Sequence, residues 1–343
     1  MLLIRKVDFM RNLILQVKDL KVYFDTDEGL IKAVDGVSFN VEKNSVVAIV
    51  GESGCGKSVT ARSILQLLPM NAHIVDGELN FNLGDDKIIE IHKLDRNSRE
   101  MRAIRGGEIS IVFQDPMTFL NPVYTIGYQI YENIKEHLHY KYLNSIAKIH
   151  EILASVGISN PIQRSQQFPH ELSGGMRQRS MIGMSLSANP KLIIADEPTT
   201  ALDVTIQAQV LDLMKKIQNE KGMSVILITH DMGVVAEMAD FVVVMYMGKI
   251  VEKASCQMIF NNPKHPYTIK LLESIPKLGR GRNQKLKPIS GTTPNFTSLP
   301  TGCLFSPRCD FASSKCSNIP KEIEYSDNHF VSCWKYNEEI KEN

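Results

Sequence analysis

Strand-like patterns occupy the first part of the chain. Segments in which three of four residues are apolar or aromatic occur at residues 14–17 and 21–24, and hydrophobic and polar residues alternate at residues 37–41. Because alternation with a period of two is typical of strands that bury one face, these segments predict an antiparallel β layer. A continuous apolar run at residues 46–50 then leads into a glycine-rich turn and a helix predicted from near Lys57. A buried strand, a turn and a helix in this order indicate an α/β core.

The middle of the chain has a different periodicity. No such strand pattern occurs between residues 122 and 183, where apolar residues recur at Ile126, Ile130, Ile134 and Leu138. A four-residue spacing is typical of one face of a helix. We therefore predict a helical subdomain inserted into the α/β core.

Strand-like runs return at residues 192–195, 225–228 and 241–245. After about residue 260 the composition shifts towards Pro, Lys, Ser and Cys, and this shift marks a domain boundary. We therefore predict two domains, one at residues 13–260 and the other at residues 261–343.

The charge balance argues against a protein that binds nucleic acid. Lys and Arg together number 39 and Asp and Glu 38, so the formal net charge is +1. Chains that bind the nucleic-acid backbone carry an excess of positive charge. No nucleic-acid partner is expected.

The hydrophobic pattern also contains no predicted membrane span, which requires roughly 18 to 20 apolar residues. The first twelve residues include Arg5, Lys6, Asp8 and Arg11 and therefore lack the apolar core of a signal peptide. We expect a cytoplasmic protein whose membrane role is peripheral, with Met10 as an alternative start.

A phosphate-binding motif follows the apolar run at residues 46–50. Residues 51–58 match the pattern G-x-x-x-x-G-K-[ST] between a predicted strand and a predicted helix. The glycines let backbone N–H groups face phosphates, Lys57 neutralises phosphate charge, and Ser58 is a candidate Mg²⁺ ligand. The alternative is a tight strand-to-helix turn without a ligand. The predicted nucleotide-binding residues here are Gly51, Glu52, Ser53, Gly54, Cys55, Gly56, Lys57, Ser58 and Val59.

Two carboxylates follow the apolar run at residues 192–195. Asp196 ends this run and is placed to hold Mg²⁺, whereas Glu197 is placed to polarise an attacking water. The alternative is a solvated strand end.

A second anion-binding turn consists of Ser173, Gly174 and Gly175, which open a predicted helix. This segment resembles the signature segment of ABC (ATP-binding cassette) ATPases, in which the turn of one subunit caps the nucleotide on the phosphate loop of another. The resemblance implies binding of ATP and Mg²⁺ and head-to-tail pairing of two cassettes. It also implies an α/β P-loop NTPase fold, with a RecA-like core, an antiparallel β subdomain and an inserted helical subdomain.

Four further residues match the motifs of that family in the same order. Gln114 resembles the loop glutamine that contacts Mg²⁺ and the attacking water. His230 resembles the switch histidine that contacts the γ-phosphate, and Asp203 resembles the acid of the loop that crosses the dimer interface. Phe24 is a candidate to stack on adenine, with Tyr23 as the alternative. The resemblance therefore implies that Glu197, His230 and Gln114 are the catalytic residues.

Residues 114–122, 196–205 and 265–268 resemble the ATPases of oligopeptide, dipeptide and nickel importers. This resemblance implies an ATPase subunit on the cytoplasmic side of the inner membrane that energises import of di- or oligopeptides. Its implied partners are permease subunits and a second ATPase, which is a paralogue or an identical copy. An external solute-binding protein would act indirectly. Phe119 and Ser180 depart from the family pattern, and Phe119 is predicted to face the permease.

Other functions remain open. A nickel or small-solute importer of the same family is one alternative, and an exporter subunit is another. A soluble ABC ATPase that acts on nucleic acid or ribosomes is a third, and a regulatory subunit without hydrolysis is a fourth.

Four cysteines, Cys303, Cys309, Cys316 and Cys333, lie close together near the end of the chain. Four such ligands suit either Zn²⁺ or an iron–sulfur cluster, although their spacing is looser than in a zinc ribbon. The resemblance to peptide importer ATPases implies a [4Fe–4S] cluster. Zinc or unligated cysteines are the alternatives, and a cytosolic location disfavours disulfides.

Overall fold

The computed structural model describes residues 11–85, 87–200, 202–275 and 289–337. Met10, the predicted alternative start, lies outside these residues, as do Ala201 and parts of the predicted extension. The described residues divide into two compact units. The first unit holds residues 11–15, Val41–Ser45 and Phe81–Ile228. The second unit holds Gln16–Asn40, Val46–Asn80 and residues 229–337.

The helices and strands are numbered along the chain. The strands are β1 (Leu13–Thr26), β2 (Gly29–Glu42), β3 (Val46–Val50), β4 (Ala72–Gly84), β5 (Lys87–Glu90), β6 (Ile109–Val112), β7 (Leu192–Asp196), β8 (Ser224–Thr229), β9 (Phe241–Tyr246), β10 (Lys249–Ser255), β11 (Ile323–Ser326) and β12 (His329–Val331). The helices are α1 (Lys57–Ile64), α2 (Arg99–Ile104), α3 (Pro116–Phe119), α4 (Ile126–Leu138), α5 (Tyr142–Ser155), α6 (Pro161–Ser165), α7 (Gly174–Leu186), α8 (Val204–Lys221), α9 (Met232–Met238), α10 (Cys256–Asn261) and α11 (Pro266–Glu273).

The second unit is built on a sheet whose strands follow the order β3-β9-β10-β12-β11. All five residues of β3 are buried, which confirms the predicted buried strand. β3 runs parallel to β9, whereas β9 and β10 are antiparallel. Valine and isoleucine dominate β3 and β9 because β-branched residues pack well where both faces of a strand are covered. The glycine loop before α1 begins directly after the end of β3.

The second unit also contains most of β1 and β2, which are hydrogen-bonded neighbours. β1 ends at Thr26 and β2 begins at Gly29, so that a two-residue turn connects them. β4 is the next neighbour of β1. The strands predicted near the start of the chain are therefore present.

The first unit combines three parallel strands with a group of helices. β6 pairs with β7, and β7 pairs with β8. The predicted helical subdomain corresponds to α4, α5, α6 and α7, which begin and end between Ile126 and Leu186. Ile126, Ile130 and Ile134 are buried, as their four-residue spacing predicts, and Leu138 is half-buried.

An aromatic cluster connects the last part of the chain to the sheet of the second unit. Tyr246 of β9, Tyr267 of α11 and Phe305 are all fully buried. The ring centroid of Tyr246 lies 4.7 Å from that of Tyr267 and 5.3 Å from that of Phe305. Each such aromatic pair contributes about 1 kcal/mol beyond the burial of its area. The cluster therefore makes residues on both sides of the predicted boundary near residue 260 parts of one core.

Among the described helices, none has the length and apolar character that crossing a membrane requires. The domain boundary near residue 260 stays a prediction, and α10 runs through it.

Candidate functional site

The phosphate loop depends on glycines that no other residue replaces without strain. Gly51 and Gly56 have φ angles of 151° and 102°. A Cβ atom at Gly51 would collide with the carbonyl oxygen of Met245, and one at Gly56 with that of Ala33. Only glycine combines a positive φ with so close an approach to neighbouring backbone. The loop therefore has the open backbone that a phosphate cradle needs.

Lys57, the first residue of α1, is 4% exposed. Its amine donates hydrogen bonds of 2.8 Å to the carbonyl of Gly51 and 2.9 Å to that of Glu52. Ser53 and Gly54 are exposed at the tip of the loop. Cys55 is buried, and burial raises the pKa of its thiol. Lys57 is therefore the positively charged group of the loop, and Cys55 fills space beneath it.

Glu52 has contacts that the sequence does not reveal. Arg308 donates to its carboxylate from both terminal nitrogens, at 2.7 Å from Nη1 to Oε2 and 2.9 Å from Nη2 to Oε1. The backbone N–H of Glu52 donates to the hydroxyl of Tyr267 at 2.8 Å. All these residues belong to the second unit. Tyr267 lies in the segment at residues 265–268 that resembles importer ATPases, and Arg308 directly precedes Cys309 in the sequence. No local sequence pattern pairs either residue with the loop.

Gln114 and Glu197 meet within the first unit. Gln114 Nε2 donates a hydrogen bond of 2.9 Å to Oε2 of Glu197, and Thr200 Oγ1 donates to the same oxygen at 2.9 Å. Glu197 follows Asp196, the buried last residue of β7, and its backbone has a φ of 48°. A left-handed backbone costs a residue other than glycine about 1 kcal/mol. This backbone conformation occurs where the side chain of Glu197 leaves the end of β7 and reaches Gln114.

The Ser-Gly-Gly turn opens α7, also in the first unit. The Ser173 hydroxyl accepts a hydrogen bond from Met176 N at 3.4 Å and caps the helix. Nothing lies within 4 Å of a Cβ built on Gly174, whereas one on Gly175 would touch Ile206 of α8. The turn therefore has one open side and one side packed on α8.

Asp203 caps α8 by accepting a hydrogen bond of 3.0 Å from Ile206 N. The structure therefore gives Asp203 a structural role, and its predicted role at a dimer interface stays a prediction. The Ala201 preceding it in the recognised segment lies outside the described residues.

The remaining predicted residues, Phe24 and His230, belong to the second unit. Phe24 is half-buried in β1 and His230 is exposed directly after β8. The alternative adenine contact, Tyr23, donates its hydroxyl hydrogen to Asp35 Oδ1 at 3.0 Å. The choice of Phe24 for stacking on adenine, with Tyr23 as the alternative, stays a prediction.

The predicted [4Fe–4S] cluster is wrong for the described part of the chain. Cys303, Cys309, Cys316 and Cys333 all line a cavity of about 490 Å³. Even so, the described residues contain no group of three or more His, Cys, Asp or Glu side chains that could hold a metal ion.

The physical reason lies in the surroundings of these thiols. Burial raises the pKa of the Cys303 and Cys309 thiols, and it raises the pKa of Cys333 to about 11. The form of cysteine that binds metal is the thiolate, which such burial disfavours. Cys303 and Cys309 pack as small apolar side chains against the buried core that includes the aromatic cluster.

A glycine loop with a buried lysine, together with a strand-end Asp-Glu pair whose Glu accepts a hydrogen bond from a glutamine, defines a P-loop ATPase of the cassette type. Similarity to known proteins specifies the family. The family described as ABC transporter matches residues 34–200, and the oligopeptide/dipeptide transporter C-terminal region matches residues 251–316.

The dipeptide transport ATP-binding protein DppD of Bacillus subtilis is 48% identical over 323 residues, covering 94% of this chain and 94% of that protein. The oligopeptide transport ATP-binding protein AppD of the same organism is 48% identical over 328 residues, covering 95% of this chain and 98% of that protein. Among solved structures, the ATP-binding cassette MJ0796 bound to ADP and Pi matches with a TM-score of 0.60 and 27% identity. That match covers 71% of this chain and 98% of the other. The chain belongs to the ABC transporter ATPases that carry the oligopeptide/dipeptide transporter C-terminal region.

Proposed function

We propose that this chain is the ATP-hydrolysing subunit that energises a membrane importer of di- or oligopeptides. The hydrolytic part of the proposal rests on the hydrogen bond between Gln114 and Glu197, because it orients a carboxylate at the end of β7. The peptide part rests on the C-terminal region and on relatives such as DppD and AppD, whose names state dipeptide and oligopeptide transport.

The phosphate loop and two residues outside it contact the nucleotide in this proposal. Lys57 and the backbone N–H groups of residues 54–58 hold the phosphates, and the positive φ angles of the loop glycines turn these groups inward. Phe24 stacks on the adenine ring. His230 contacts the γ-phosphate.

The oxygen donors fit Mg²⁺, which prefers hydroxyl, carboxylate and amide oxygens. Ser58 in the first turn of α1, the buried carboxylate of Asp196 and the side chain of Gln114 would hold the ion. When bound, Mg²⁺ neutralises charge that develops on the phosphate oxygens.

Glu197 orients the attacking water. Because Gln114 and Thr200 donate to the same carboxylate oxygen, the side chain is held in one orientation. Fixing a reacting group before the reaction lowers the entropy cost of the step.

A second cassette completes each nucleotide site. The open side of Gly174 leaves the N-terminus of α7 accessible to the phosphates of a nucleotide held by another subunit. A paralogue is the proposed partner, with an identical copy as the alternative.

The permease docks on the segment that follows Gln114, at the cytoplasmic face of the membrane. Met117, Phe119 and Val123 are exposed there although they are apolar. The ring of Phe119 stacks on that of Phe113, with 3.6 Å between centroids. An apolar surface of this kind suits a protein partner.

Uptake of labelled dipeptides, oligopeptides and ⁶³Ni²⁺ tests the proposal, in cells with the intact gene or with Glu197→Gln. Loss of peptide uptake alone supports it. Loss of nickel uptake alone identifies a nickel importer, and no change in any uptake contradicts both transport functions.

A further inference from the structure

Glu52 is held by residues that lie more than 200 positions further along the chain. Its carboxylate accepts a hydrogen bond from each terminal nitrogen of Arg308, and its Oε2 accepts another from Thr293 Oγ1 at 3.2 Å. Its backbone N–H donates to Tyr267. Both the side chain and the backbone of this one loop residue are therefore fixed from the C-terminal part of the second unit.

Arg308 is itself held rigidly. Its side chain is 4% exposed. Its Nε donates to the carbonyl of Ser290 at 3.0 Å, and its Nη1 also lies 3.3 Å from the hydroxyl of Tyr246. A planar guanidinium with donors on three sides has little freedom to follow a moving loop.

The contacts continue from Glu52 to the lysine of the loop. The carbonyl of Glu52 accepts a hydrogen bond of 2.9 Å from Lys57 Nζ. A change in the orientation of the Glu52 peptide would therefore move the oxygen that holds the amine. If the Arg308–Glu52 pair only attached the C-terminal extension to the rest of the second unit, it would have no such connection to Lys57, the phosphate-binding group.

We propose that Arg308 and Tyr267 are positioning residues for the phosphate loop, so that the C-terminal extension sets the affinity of the loop for nucleotide. They act through Glu52 and Lys57 and touch no nucleotide. This inference rests on the proposed nucleotide-binding role of residues 51–58.

The test is ADP binding to the full-length protein, measured by calorimetry with Mg²⁺. ADP reports on the loop through its phosphates and is not hydrolysed. We expect Arg308→Gln to weaken ADP binding about tenfold, equivalent to about 1.4 kcal/mol. In steady-state hydrolysis the KM for ATP rises by a similar factor, whereas kcat changes less than threefold.

Three further variants separate positioning from simple attachment. Arg308→Lys keeps the charge but not the two-pronged contact, and we expect it to restore part of the affinity. Tyr267→Phe removes only the acceptor of the Glu52 N–H. The double variant Arg308→Gln/Glu52→Gln binds ADP no more weakly than Arg308→Gln, because both changes break one pathway.

Glu322→Gln is the matched control. Lys253 Nζ lies 2.8 Å from Glu322 Oε1, so this pair also ties the extension to β10, but it does not touch the loop. We expect its ADP affinity to stay within twofold of wild type.

Unchanged ADP affinity in folded Arg308→Gln overturns the inference and leaves the proposed function intact. If Arg308→Gln does not fold, unchanged affinity in both Glu52→Gln and Tyr267→Phe overturns it. A wild-type protein that binds no ADP contradicts the proposed function and the inference together.

Discussion

His329 Nε2 lies 2.8 Å from Oε1 of Glu252, and both side chains are completely buried. Glu252 also accepts hydrogen bonds from the backbone N–H groups of Lys264 and His265, at 2.7 and 2.9 Å. One carboxylate of β10 therefore joins the strand before the predicted boundary to β12 and to the start of α11.

Replacing this carboxylate should destabilise the second unit strongly. Glu252→Ala leaves two backbone donors and a histidine without their acceptor, and we expect a loss of about 3 kcal/mol in the free energy of unfolding. Urea denaturation followed by circular dichroism measures the loss. Glu322→Gln, which changes a partly exposed ion pair, should cost less than about 1 kcal/mol. Equal losses in the two variants would contradict the role given to Glu252.

Gln114 should affect the rate of hydrolysis more than nucleotide affinity. Gln114→Ala removes a hydrogen-bond donor that orients Glu197, and we expect kcat to fall about tenfold to 100-fold. The Kd for ADP measured without Mg²⁺ should stay within threefold, since the phosphate loop is unchanged. Gln163→Ala, which removes an exposed glutamine of the same unit, serves as the control and should hydrolyse ATP at the wild-type rate. A wild-type kcat in Gln114→Ala would show that Glu197 needs no such orientation.

The stability of the second unit should fall in mild acid because of His265. Burial lowers the pKa of this histidine to about 4, despite the nearby Glu252 carboxylate, whereas a histidine in the unfolded chain has a pKa of about 6.5. Between these two values the unfolded chain binds the proton and the folded protein does not. Stability is therefore complete above about pH 6.5 and is lost as the pH falls towards 4, by a total on the order of 3 kcal/mol.

Urea denaturation at pH 5 and pH 7 measures this dependence. The matched variant is His265→Asn, because asparagine can accept the hydrogen bond that Nδ1 of His265 receives from Tyr267 N. We expect a smaller difference between the two pH values in this variant. An identical pH dependence in wild type and variant would assign the effect to other groups.

Gly56 should tolerate no side chain. Gly56→Ala introduces a methyl group against the carbonyl oxygen of Ala33 at a φ of 102°, and we expect loss of measurable ADP binding. Gly36→Ala is the control, since it has a φ of 82° but nothing within 4 Å of its Cβ. It should cost about 1 kcal/mol of stability and leave ADP binding intact. Normal ADP binding by Gly56→Ala would show that the loop can relax.

The parts that sequence predicts well are those that depend on short stretches of chain. The buried run of β3, the glycine loop and the four-residue period of α4 are all local patterns, and the structure has them where they were expected. The family resemblance named Gln114 and Glu197 as catalytic residues, but no local sequence pattern predicted the hydrogen bond between them.

The parts that sequence does not predict depend on contacts between distant residues. Arg308 and Glu52 are 256 positions apart, and only folding brings them together. For the four cysteines, the sequence instead predicted a site that the described residues do not form. Their clustering predicted metal ligands, but burial against the core that includes the aromatic cluster favours neutral thiols at Cys303 and Cys309, which pack as apolar groups.

The contact between Arg308 and Glu52 also has a consequence for biosynthesis. A ribosome adds about 5 to 20 residues per second, so the phosphate loop emerges roughly 10 to 50 seconds before the arginine that holds it. During this interval the nascent loop lacks its anchor, and the carboxylate of Glu52 faces water. The phosphate loop therefore reaches its final form only after Arg308 has been translated.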